Sequence, residues 1–167
     1  LTACAARSEL PVSLSTLTEL RVVATITPGK PDAPTEKISL TSSNTTTGVT
    51  WYLHVIRQDA QGKLLKEGSA FVAQPAVAAV WNAIESGKVR MLRPQPVTQQ
   101  AFDFGERSLS LQWRAQKGEV STHSISWDHP LAAAQEAALK SLLSELGRLA
   151  RQEIPTVVLS YFPRIGG

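Results

Sequence analysis

Cysteine is nearly absent: Cys4 is the single one among 167 residues, so no disulfide can form within the chain and the fold must stand on its core. Long apolar runs are missing as well. No segment approaches the roughly 18 consecutive apolar residues of a membrane-crossing helix, which excludes such a helix from this sequence. Basic clusters are also lacking. Seventeen Lys and Arg against fourteen Asp and Glu give a formal charge of +3, but they are spread along the chain with no run of five. Without basic runs beside aromatic platforms, a nucleic-acid partner is not expected. The glycines form neither a phosphate-cradling loop nor a dinucleotide fingerprint, so no cofactor is implied. What is present is ordinary for a globular protein. Hydrophobic residues make up 43% and charged residues 19%, enough for one domain with one core.

Leu1-Thr2-Ala3-Cys4 places an aliphatic residue and two small ones directly before the cysteine. This pattern resembles the lipobox of bacterial lipoproteins. The resemblance implies a diacylglycerol on the Cys4 thiol and a signal peptide, the end of which is Leu1–Ala3, removed from the mature protein. In that family an aspartate after the cysteine favours inner-membrane retention, and here the residue is Ala5. The resemblance therefore implies outer-membrane sorting, with the protein facing the periplasm of a bacterial envelope. Two or three acyl chains on one cysteine suffice for stable anchoring. Ala5 to Leu17 has no sustained periodicity and reads as a tether. The expected organisation is anchor and tether over residues 1–17, then a single globular domain over 18–167.

Within that domain, Leu20–Thr27 reads as a first strand, ended by Pro28, Gly29, Pro31 and Pro34. Ile38–Ser42 alternates as a half-buried strand does. Val49–Arg57 alternates Trp51, Leu53 and Val55 with Tyr52, His54 and Ile56, a pattern suited to cover on both faces. Asp59-Ala60-Gln61-Gly62 reads as a hairpin turn into Lys63–Glu67. The period then changes. Val77, Val80, Trp81 and Ile84 stand at the spacing of one helix face over Gln74–Ser86, with Pro75 in the first turn and Gly87 just past the end. Ala101–Phe104 extends a sheet edge, and Ser108–Arg114 and Glu119–Trp127 form a hairpin. Asp128 is a candidate cap and Pro130 a helix-starting proline for a long helix to about Arg151. Thr156–Tyr161 reads as a final strand. The short turns exclude parallel crossovers. The fold class expected is α+β: two layers, an antiparallel sheet with two main helices packed on one face.

Chemistry is sparse. His54, His123 and His129 match no metal-ligand spacing. His123 and Asp128, with Ser121, Ser124 or Ser126 as nucleophile, compose a possible hydrolase triad, but no nucleophile elbow surrounds any serine. Asp103 and Glu106 flank Phe104-Gly105 and read as loop charge in preference to an acid/base pair. Asn44-Thr45-Thr46 is a glycosylation acceptor only in a eukaryotic secreted chain. Four tryptophans fit core packing. If Trp51, Trp113 and Trp127 instead face the open side of the sheet, they form a binding platform.

Ile38–Ser42 with Gly48, Ser108–Trp113, and Ile125–Pro130 follow an order of elements that is similar to the protease inhibitors called emfourins and to other small envelope or secreted domains. The likeness is one of pattern and implies the fold before any mechanism. No inhibitory residue transfers onto this chain. The leading expectation is thus a non-enzymatic envelope lipoprotein that binds a membrane through Cys4 and an envelope protein through a sheet face or edge. An emfourin-like protease inhibitor and a hydrolase using His123 and Asp128 are the alternatives.

Overall fold

Alternating side chains build the sheet. In the computed structural model, which describes residues 11–97, 104–116 and 118–165, six strands pair antiparallel throughout. These are β1 (Leu17–Thr27), β2 (Thr35–Thr45), β3 (Gly48–Gln58), β4 (Leu64–Val72), β5 (Glu106–Ala115) and β6 (Ser121–Trp127), with α1 (Gln74–Ser86) and α2 (Ala133–Glu153) between and after them. The strand order is β4-β3-β2-β1-β5-β6. The first four strands form a meander; α1 then carries the chain across so that the β5–β6 hairpin joins the free side of β1. The α+β class, with both helices against the sheet, is the one expected.

Leu20, Val22, Ala24 and Ile26 of β1 point inward beside Ile38 and Leu40 of β2, Leu53 and Val55 of β3, and Leu109 and Leu111 of β5, all buried. Over them lie Val77, Val80, Trp81 and Ile84 of α1, the residues whose spacing predicted that helix. Leu139, Leu142, Leu143, Leu146 and Leu149 of α2 complete the layer. Each such side chain taken from water contributes about 1.5–3 kcal/mol. Among the described residues no layer covers the opposite face, and they cover β3 on one side only, not both. Tyr52 on that open side is 38% exposed.

Several boundaries differ from those expected, each for a visible reason. A register shift between Leu17 and Glu19 turns both Leu17 and Leu20 inward, so β1 starts earlier than strict alternation allows. The body reaches back further still. Trp81 Nε1 donates to the Val12 carbonyl at 2.7 Å and the Val12 N–H donates to Glu85 at 2.8 Å. Residues 12–17 therefore dock on the fold and do not act as tether. Helix α2 begins at Ala133 with Ala132 as its cap residue, so neither Asp128 nor Pro130 starts it. Instead Glu136 of the first turn accepts the Leu131 N–H at 2.7 Å. Of the expected edge Ala101–Phe104, residues 101–103 lie outside the described residues, and Phe104 is in no strand.

The expected final strand Thr156–Tyr161 is irregular chain. Its apolar residues serve burial without a ladder: Val157, Leu159 and Phe162 are all inside. Its backbone groups are satisfied by one buried charge, Glu36, and one half-buried charge, Arg151. Glu36, with 0% exposure, accepts the N–H groups of Ser160, Tyr161 and Phe162 at 2.6, 2.7 and 3.3 Å. Arg151 donates to the carbonyls of Phe162 at 2.5 Å and Pro163 at 3.2 Å. A sheet partner is therefore unnecessary.

Candidate functional site

The tryptophan platform is not on the surface. Trp51 and Trp127 occupy inward positions on β3 and β6 and are 4% and 5% exposed. Trp113 is half-buried beneath Arg90, whose guanidinium carbon lies 5.4 Å from its ring centroid and 6.0 Å from that of Trp81. Glu85 holds the same guanidinium in an ion pair. Inward parity, unreadable until strand faces are assigned, decides all of this. Cys4 lies outside the described residues.

The aromatic surface is elsewhere, on the open face at the β3–β4 end. Tyr52 and Phe71 are cross-strand partners whose rings meet edge to face, with centroids 5.5 Å apart. Phe71 is 71% exposed. Along the same face, two register positions away, His54 Nε2 donates to Glu67 at 3.1 Å, and Leu65 is exposed beyond it. Elsewhere on the open face Thr25, Ser39, Thr41, Ser110 and Ser124 point outward, and half-buried Val23 and Ile56 are apolar residues among them. The strongly exposed apolar side chains of this face, Tyr52, Leu65 and Phe71, are thus concentrated at one edge. That edge is also open in hydrogen-bonding terms, because among the described residues no backbone group pairs with the outer side of β4. Lys66 and Glu67 supply the charges with which edge strands resist indiscriminate pairing.

The residues of the hydrolase reading do not assemble. His123 points inward, and its Nε2 donates to the Leu92 carbonyl at 2.7 Å; since a carbonyl only accepts, the hydrogen is on Nε2. Ser124 and Ser126 project from the opposite face of β6, and only Ser121 shares the side of His123. The Asp128 carboxylate accepts from His129 Nδ1 at 2.7 Å, with both side chains exposed. Glu106 accepts weakly from Ser126 at 3.4 Å. Its expected companion Asp103 lies outside the described residues. Among the described residues, no three His, Cys, Asp or Glu side chains converge to hold a metal ion.

Two features escaped sequence reading. The clamp around Glu36 is one: Arg57 Nε joins it at 3.1 Å, opposite on β3. Arg151 on the other side of that clamp has its pKa lowered by burial, then by the positive charge of Arg164, with Glu36 opposing. The other is a cavity of about 320 Å³ between β5, β6, α2 and the C-terminal segment, into whose wall Phe104, Arg107, Glu136 and Tyr161 are built. Burial lowers the Arg107 pKa and Glu136 works against that shift. Only contacts between residues distant in sequence create either feature, so no local signal marks them.

Neither a protein-family model, nor a curated protein, nor a solved structure matches this chain.

Proposed function

We propose that this chain is the folded domain of a non-enzymatic envelope lipoprotein, held at a bacterial outer membrane through Cys4, whose work is to bind a protein. The observation that carries the reading is Phe71, 71% exposed and packed on Tyr52 at the unpaired β4 edge. An exposed aromatic pair has a free-energy incentive to be covered, and a free strand edge offers ordered backbone donors and acceptors beside it. The partner chemistry that suits both is an extended segment of an envelope protein, pairing with β4 and laying an apolar side chain against Phe71. Burying most of one phenylalanine supplies about 2 kcal/mol of such an association, and the main-chain bonds supply register. The lipobox tetrapeptide supports the anchoring half of the proposal. The hydrolase and inhibitor readings have no comparable observation behind them.

The test is the native size of the protein in detergent extracts of its own cells. Phe71→Asp is expected to dissociate it from a larger assembly, whereas Ser110→Asp, on the polar half of the same face, is expected to leave that assembly intact. Equal sizes for the parent and Phe71→Asp would reject the β4 end as the binding surface.

A further inference from the structure

A separate site lies on the helix side of the sheet. Arg107 and Trp127 are cross-strand partners on the inner face of β5 and β6, at the end where α2 and the C-terminal segment close over them. They border a cavity of about 320 Å³ whose other walls include Phe104, Tyr161, Glu136 and Lys140. Ligand pockets run upward from about 300 Å³, so the space suits a single-ring molecule. The guanidinium carbon of Arg107 stands 4.1 Å from the Phe104 ring centroid. No hydrogen-bond acceptor or ion-pair partner reaches that guanidinium among the described residues. Glu136, the nearby anion, has one oxygen committed to the Leu131 N–H at 2.7 Å. Next to Arg107, the indole N–H of Trp127 is buried and has no acceptor among the described residues either.

A half-buried guanidinium keeps its charge, and with no hydrogen-bond acceptor its lost hydration is offset only in part, by the Phe104 ring and the charge of Glu136, until an anion arrives. Its planar fork matches a carboxylate bidentately, and the rings around it match a flat apolar body. We propose that this cavity binds a small carboxylate carrying one aromatic ring, with the carboxylate on Arg107 and the ring among Phe104, Trp127 and Tyr161. Glu136 repels a second negative charge, which restricts the class to monoanions. The site is independent of the β4 edge, and either assignment can fail alone.

Phenylacetate is the probe, with 2-phenylethanol as its neutral counterpart. In titrations of the full ¹⁵N-labelled chain, phenylacetate is expected to shift the Trp127 indole N–H resonance saturably, with about tenfold higher affinity than the alcohol, as a charge-assisted bidentate contact requires. Arg107→Gln is expected to remove that preference. Equal affinity for phenylacetate and 2-phenylethanol, or no shift of the Trp127 resonance at millimolar phenylacetate, would overturn the proposal. The comparison of the two probes uses the unaltered chain, so it decides the matter even if Arg107→Gln fails to fold.

Discussion

Replacing the Glu36 carboxylate with an amide should be among the costliest single changes in this protein. Glu36→Gln keeps the shape of the side chain but exchanges one acceptor oxygen for an NH₂ group that faces donors. The carboxylate holds the N–H groups of Ser160, Tyr161 and Phe162 and the Nε of Arg57, and it is 0% exposed. Hydrogen bonds to a charged group contribute about 1.5–3 kcal/mol each, but they share one acceptor and do not add. Breaking a buried pair by removing one partner costs about 3–5 kcal/mol. We take that range for Glu36→Gln. It is a large part of the roughly 5–15 kcal/mol that holds a domain folded. With a urea m-value near 2 kcal/mol/M, the unfolding midpoint falls by roughly 2 M at unchanged slope. Amide exchange within Ser160–Phe162 should accelerate in the same variant, because only one of the two oxygens that accept from those N–H groups remains. A loss below about 1 kcal/mol, with exchange at those amides unchanged, would refute the claim that this carboxylate locks the C-terminal segment.

Gly105→Ala should destabilise by about 3 kcal/mol, or roughly 6–12 °C in Tm. Gly105 has φ +74°, and a Cβ there would overlap the Thr27 carbonyl oxygen and stand 2.6 Å from the Gly29 nitrogen; an unchanged Tm would show that this loop yields. Arg107→Met should leave the stability of the unliganded protein undiminished. The folded pKa of Arg107 is lowered, chiefly by burial, so the cost of holding the cation is present at all pH below that value and is relieved only as pH rises through it. An arginine stays protonated across neutral pH, so Arg107 adds no slope of stability there; a Tm well below that of the parent would contradict the prediction. Mass spectrometry of envelope-extracted protein should find Cys4 acylated and Leu1–Ala3 absent. An unmodified Cys4 still preceded by Leu1 would remove the anchor from the account.

Local signals made much of the fold legible. Helix α1 has the predicted bounds because Val77, Val80, Trp81 and Ile84 keep one face and Pro75 and Gly87 mark its ends. Gly87 is needed for a different reason than its position suggests: φ is −86°, and a Cβ there would stand 2.8 Å from the Ala138 Cβ of α2. Close helix approach, not a left-handed turn, demands the glycine. The strands were readable where alternation is strict and obscure where it breaks. Buried Glu36 hid the start of β2, and the β1 irregularity hid Leu17. Thr156–Tyr161 has strand composition, yet Glu36, 125 residues before Tyr161, and Arg151, eight residues before Leu159, take its backbone groups. As for the candidate site, Trp51 and Trp127 have a composition suited to interfaces, but their parity turns them inward. Phe71 and Tyr52 became a surface pair only once β3 and β4 were in register.

The most direct test of the central claim is site-specific photo-crosslinking in living cells, with a benzophenone side chain placed at Phe71 and, separately, at Ser110. Both positions lie on the open face, and only the first is at the β4 edge. The account predicts one discrete protein adduct from position 71 and none from position 110. Adducts of equal yield from both positions, or none from position 71, would contradict it.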